Sequence, residues 1–147
     1  MRRIPEETYN FIIAFEGLRL KAYRCPAGYL TIGVGHIVKE GEPLEISINE
    51  AYDYLQSDLM FFNKKLYNLL DKKQYWLLTD NQLIALLSFI FNVGPAAFQR
   101  STMRAKINRG EPASEVGEEF LKWVWAGGQI LPGLIKRRQA ERRLYES

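Results

Sequence analysis

Cysteine and histidine occur once each in this chain, as Cys25 and His36. A lone cysteine excludes an internal disulfide. A lone histidine argues against a zinc site, and neither a metal nor a cofactor is expected. No stretch approaches the ~18 consecutive apolar residues needed to span a membrane. Pro5, Glu6 and Glu7 interrupt the N-terminus before any apolar run, so no signal peptide is expected and stable membrane association is not. Internal repeats and low-complexity tracts are absent as well. The pair Gly33-x-Gly35 lacks the third glycine and following helix of a dinucleotide-binding fingerprint. An excess of one charge sign is nearly missing too: the net charge is only +3. That gives a mild attraction to anionic surfaces, and without a recognised binding signature it argues against nucleic acid as a partner.

What is present suits a globular chain of 147 residues. Hydrophobic residues make up 47% and charged ones 25%, and nineteen aromatics allow a sizeable core. A single domain, 1–147, is expected, divided into an N-terminal part over 1–46, a connecting helix over 47–70 and a helical part over 71–147. Residues 5–15 read as a helix, with Pro5 at its first position and Ile12 and Phe15 on one face. Glu16 falls at its C-terminal end, where the helix dipole disfavours negative charge. Residues 17–38 alternate and carry turn signals at Cys25-Pro26-Ala27-Gly28, predicting a small antiparallel sheet. A polar loop covers 39–46. Ser47-Ile48-Asn49-Glu50 is a capping box opening the longest helix, with a stripe of Ile48, Tyr52, Leu55, Leu59, Phe62, Leu66 and Leu69. Such a helix spans on the order of 30 Å and can join two lobes. Thr79 or Asp80 caps another, ending at Gly94-Pro95, and further helices are predicted over 98–109, from Pro112 or Ser114 towards Gly127, and over 132–144. In the last, Lys136, Arg137, Arg138, Arg142 and Arg143 read as a solvated basic face. The fold class is α+β.

The chemistry concentrates between Glu16 and His36. A carboxylic acid, a thiol and the Thr31 hydroxyl lie within it, with glycines that allow close approach of a ligand. These groups supply a proton donor and partners for a water molecule, which is what bond hydrolysis needs. His36 is read as structural. Each residue alone has an ordinary explanation; the spacing is what distinguishes them. Glu16, eight residues, Cys25, five residues, Thr31, then Ile32-Gly33-Val34-Gly35-His36 resembles the signature of the tailed-phage lysozymes, or endolysins, in which position 25 is Asp or Cys. The resemblance extends to Ala22-Tyr23, to Gln82 through Ser88-Phe89 and Phe91-Asn92-x-Gly94, and to Phe120, Trp123, Ala126-Gly127-Gly128, Leu131-x-Gly133-Leu134 and Arg137-Arg138.

The resemblance implies a lysozyme-like fold, a sheet lobe and a helical lobe on a long helix, and a muramidase that hydrolyses the β-1,4 bond between N-acetylmuramic acid and N-acetylglucosamine in bacterial peptidoglycan. It implies catalytic Glu16, Cys25 and Thr31, with Phe91 and Asn92 contacting sugar. It also implies a monomer made in the host bacterial cytoplasm that reaches peptidoglycan after release across the inner membrane. Arg137 and Arg138 are candidates to pair with carboxylates near the first helix. Trp123 and Trp125 are candidates to stack on carbohydrate, with core packing the competing role for at least one. Two alternatives stay open: a lytic transglycosylase using Glu16 alone, and a non-catalytic wall-binding domain.

Overall fold

The computed structural model describes residues 1–147. Helix α1 spans Glu7–Glu16 and is followed by strands β1 (Arg19–Arg24), β2 (Leu30–Gly33) and β3 (His36–Ile37). These form an antiparallel sheet of order β1-β2-β3, with Tyr23 opposite Thr31 and Ile32 opposite His36. The expected polar loop is not wholly free. Its end pairs along the outer edge of β1, through Ala22 N–H to the Leu44 carbonyl and Ile46 N–H to the Leu20 carbonyl, both at 2.9 Å. Ile46 thereby reaches Ile32 and Ala51 in a small core under the sheet.

Helix α2, Ile48–Leu69, starts at the predicted capping box: Glu50 N–H donates to the Ser47 hydroxyl and Ser47 N–H to the Glu50 carboxylate. Leu55, Leu59 and Leu66 are buried as the stripe requires, but Ile48 and Tyr52 are exposed. The first turns of α2 cover only the small sheet, and Ala51 fills that contact. Beyond α2 come α3 (Lys72–Leu77), α4 (Asp80–Val93), α5 (Pro95–Gln99), α6 (Thr102–Asn108), α7 (Ala113–Phe120), the hairpin β4 (Trp125–Ala126) and β5 (Gln129–Ile130), and α8 (Pro132–Glu146). The short α3 has no counterpart among the expected elements. The helix expected over 98–109 is two helices, because Ser101 accepts from Arg104 N–H and starts a new N-terminus. The helix expected to run towards Gly127 ends at Phe120, and the two glycines turn a hairpin instead.

Helix α4 is the centre of the larger lobe. Every residue from Leu83 to Ile90 is buried, so the helix is enclosed all round by α1, α2 and α8. Phe89 meets Phe98, Phe120 and Trp123 in edge-to-face contacts, which settles Trp123 in the core. Each such fully buried aromatic or leucine contributes about 1.5–3 kcal/mol by leaving water. No helix is long and apolar enough to cross a membrane.

Candidate active site

Glu16 ends α1 at the junction of the two lobes, its side chain 20% exposed. One carboxylate oxygen, Oε1, accepts from Arg137 Nη1 in α8. The other, Oε2, lies against Gly35 in the β2–β3 turn. A Cβ added at Gly35 would stand 2.6 Å from Oε2 and 3.1 Å from Cε1 of Phe91. Gly35 also has φ +63°, a conformation that glycine adopts without strain. The carboxyl, at the end of α1, is therefore held between a guanidinium from α8, the bare backbone of the β2–β3 turn and an aromatic ring from α4.

The guanidinium is itself fixed. Arg137 is 4% exposed. It donates to the Ser88 carbonyl at 3.0 Å and the Ser88 hydroxyl at 3.3 Å, and lies 3.4 Å from Glu141 Oε2. Arg138 pairs with the other oxygen of Glu141, donates to the Trp123 carbonyl at 2.9 Å and binds Asn92 Oδ1. Burial pushes Arg138 below its ordinary pKa, with Glu141 opposing. Two arginines of the expected solvated basic face are thus interior residues. They point inward because Glu141, itself fully buried, supplies the counter-charge.

Cys25 and Thr31 lie together on the sheet lobe. Cys25 N–H donates to the Tyr29 carbonyl at 3.0 Å, closing the β1–β2 turn, and the Thr31 hydroxyl donates to the same carbonyl at 2.9 Å. Thr31 is buried and Cys25 partly exposed. Desolvation raises the thiol pKa, but the N–H of Tyr29, the Thr31 hydroxyl and the amides of Ala27 and Gly28 outweigh it and hold the thiol below its usual value.

Tyr23 is influenced by both groups. Its phenol is pushed up first by burial and then by Glu16, with Arg19 lowering it and Cys25 raising it again, so the ring stands in the field of both Glu16 and Cys25. The Arg19 guanidinium lies 4.3 Å from the ring centroid. Sequence reasoning used Tyr23 and Ser88 only within a resemblance and missed Glu141. A single acid inside a run of arginines, four residues after Arg137, was the available signal for Glu141. Phe91 is half-buried, packed on Phe62 at 5.3 Å and beside Glu16. Asn92 is exposed apart from the oxygen that Arg138 holds. His36 lies elsewhere, between Asp58 and Glu42. No group of three or more His, Cys, Asp or Glu side chains is placed to hold a metal ion.

The family model described as phage lysozyme matches residues 13–141, a span that includes every residue of this site. The endolysin of Acyrthosiphon pisum secondary endosymbiont phage 1 is 41% identical over 148 residues, covering 98% of each chain. The endolysin of Bacillus phage B103 is 38% identical over 145 residues, covering 97% of this chain, which spans about half (53%) of that relative. Among solved structures, the muramidase domain of SpmX from Asticaccaulis excentricus has a TM-score of 0.85 at 32% identity, covering 100% of this chain and 99% of its own. The fold is lysozyme-like, and the chain belongs to the phage lysozyme family, an enzyme of the glycoside hydrolase class.

Proposed function

We propose that this lysozyme acts as an endolysin, a monomer that needs no cofactor and hydrolyses the β-1,4 bond between N-acetylmuramic acid and N-acetylglucosamine in peptidoglycan. Glu16 is the general acid, and Cys25 and Thr31 activate and position the attacking water. The observation that carries this reading is the fixed Glu16 carboxyl. Arg137 occupies Oε1, so Oε2, resting on Gly35 beside Phe91, is the oxygen left to carry a proton to a leaving group.

The steps follow from the groups present. Glu16 gives its proton to the glycosidic oxygen as the bond to the sugar carbon breaks and positive charge grows on the ring. A water attacks the opposite face of that carbon and passes a proton to the Cys25 thiolate, whose share at neutral pH is increased by the polar hydrogens around it. The Thr31 hydroxyl has one hydrogen, shared between the Tyr29 carbonyl and the Cys25 sulfur, and its lone pairs accept from the water and aim it. The product has inverted configuration. Glu16 is left ionised and Cys25 protonated, and solvent exchange resets both. Phe91 offers the sugar an apolar wall. Asn92, its oxygen held by Arg138, keeps its amide hydrogens for a sugar hydroxyl or acetamide.

Clearing of chloroform-treated Gram-negative cells tests the assignment. Glu16→Gln lowers the rate by about 10²–10⁴-fold, whereas Cys25→Asp retains lysis. Wild-type clearing by the Glu16 variant would overturn the acid role. Proton NMR of the first-formed anomer reads the role of Cys25, since a retained anomer makes it a nucleophile. Products lighter by one water would instead give the transglycosylase reading.

A further inference from the structure

The hairpin after α7 carries an indole that the core does not use. Trp123 packs edge-on against Phe89 at 5.5 Å, but Trp125 is 62% exposed. Its register partner on β5, Ile130, is 48% exposed. Opposed residues of an antiparallel pair project from the same face, so the two make one apolar platform. The turn between them is tight. Gly127 and Gly128 have φ of +58° and +78°, the conformation of a two-residue hairpin turn. The stretch from Trp123 to Ile135 holds no charged residue, in a chain where a quarter of residues are charged.

The base of the hairpin is joined to residues of the candidate site. Leu131 N–H closes the hairpin on the Val124 carbonyl at 3.0 Å, and Arg138, which binds Asn92, donates to the Trp123 carbonyl at its base. Helix α8 begins directly after the hairpin, at Pro132. Arg137, which holds Glu16, comes five residues later, about 8 Å along the helix axis. A neutral surface of indole, aliphatic and amide groups suits an uncharged N-acetylated sugar, whose ring presents a flat C–H face, and gives no attraction to an anionic headgroup.

We propose that the β4–β5 hairpin is a glycan-binding platform on which Trp125 stacks against a sugar beyond the two that flank the cleaved bond, giving the enzyme a preference for long strands over short fragments. This rests on the reading of Glu16 and Asn92 as cleft residues. Binding is measured by calorimetry in Glu16→Gln, with soluble peptidoglycan glycan strands and, separately, a single disaccharide. Adding Trp125→Ala weakens long-strand binding about three- to tenfold and leaves the disaccharide unchanged. Trp125→Phe recovers most of the loss, and far-UV circular dichroism stays the same in all variants. In the active enzyme, Trp125→Ala raises KM for long strands with kcat unchanged. Equal affinity for strands with and without Trp125 would overturn the proposal. So would Trp125-dependent binding to phosphatidylcholine vesicles with strand binding intact, which would assign the hairpin to lipid. Lysis by Glu16→Gln would overturn the acid role while leaving the strand-binding result standing, so the two failures are distinguishable.

Discussion

Gly35 is the residue on which the acid's position most plainly depends, because what matters there is an absent atom. An alanine at 35 would set its Cβ 2.6 Å from Glu16 Oε2 and oppose the backbone at φ +63°. The backbone strain costs about 1–2 kcal/mol, and displacing the carboxyl by an ångström costs roughly 10²-fold in rate. Gly41 separates the two effects: it has φ +85° with nothing within 4 Å of an added Cβ. Gly35→Ala should therefore lose at least as much stability as Gly41→Ala in thermal unfolding, while only Gly35→Ala loses lytic rate. Equal rates would show that the carboxyl tolerates the added methyl. At this scale the sequence was readable where the signal was local. Glu16, Cys25 and Thr31 share one short segment, and a spacing identifies them as candidates. The pairing of Glu16 with Arg137 bridges 121 positions; the sequence could offer the partner, but only packing brings the guanidinium to Oε1.

Among elements, the strongest sequence signals were helix caps: the Ser47 capping box forms as its spacing predicts, and of Thr79 and Asp80 it is Thr79 that caps α4. The missed elements are short, even where a cap such as Asp71 at α3 or Ser101 at α6 opens them. α3 is short, and the β4–β5 hairpin has two-residue strands, too brief for alternation to register. His36 shows how the small sheet is tied to α2. Its ring donates or accepts at Asp58 (2.8 Å) and Glu42 (3.0 Å) and stacks on Tyr54 at 4.3 Å. The hydrogen bond to Asp58 raises its pKa most, burial opposes, and Glu42 adds to the rise. For Glu42, burial raises the pKa, but His36 and the Lys39 N–H together hold it below its usual range. The raised histidine stabilises fully below its unfolded value of about 6.5 and loses that contribution as pH climbs through the higher folded value. The lowered Glu42 stabilises above the ordinary carboxylate range and loses its contribution as pH falls through its folded value. The cluster therefore contributes most between about pH 5 and 6.5. His36→Gln should cost about 1–3 kcal/mol in that window and less at pH 9, measured by urea unfolding at each pH. Because the chain has one histidine, a single imidazole NMR signal reads the folded pKa directly. A midpoint at or below 6.5 would refute the account.

Over the whole molecule, one buried carboxylate connects the core to the site. Glu141 is fully buried and serves Ser88 in α4 together with Arg137 and Arg138 in α8. Through Arg137 it reaches Glu16 at the end of α1, and through Arg138 it reaches Asn92 at the end of α4. The same ion network therefore holds the two helices together and orients two residues of the proposed cleft. Removing its only carboxylate inside the helical lobe leaves two buried guanidinium groups short of counter-charge, which costs about 3–5 kcal/mol. Glu141→Leu should lower the thermal midpoint on the order of 10 °C, with lytic rate falling even at temperatures where the protein remains folded. Replacing the network outright distinguishes its two roles. In the triple variant Glu141→Leu, Arg137→Met, Arg138→Met, apolar packing removes the unpaired charges, so most of the lost stability returns. Activity does not return with it, because nothing then holds Glu16 Oε1 or Asn92 Oδ1. Circular dichroism melts and clearing rates on the same preparations decide the matter. Recovery of both stability and activity in the triple variant would mean that the site needs only a well-packed interior; recovery of stability alone would assign the arginine pair to orienting the acid.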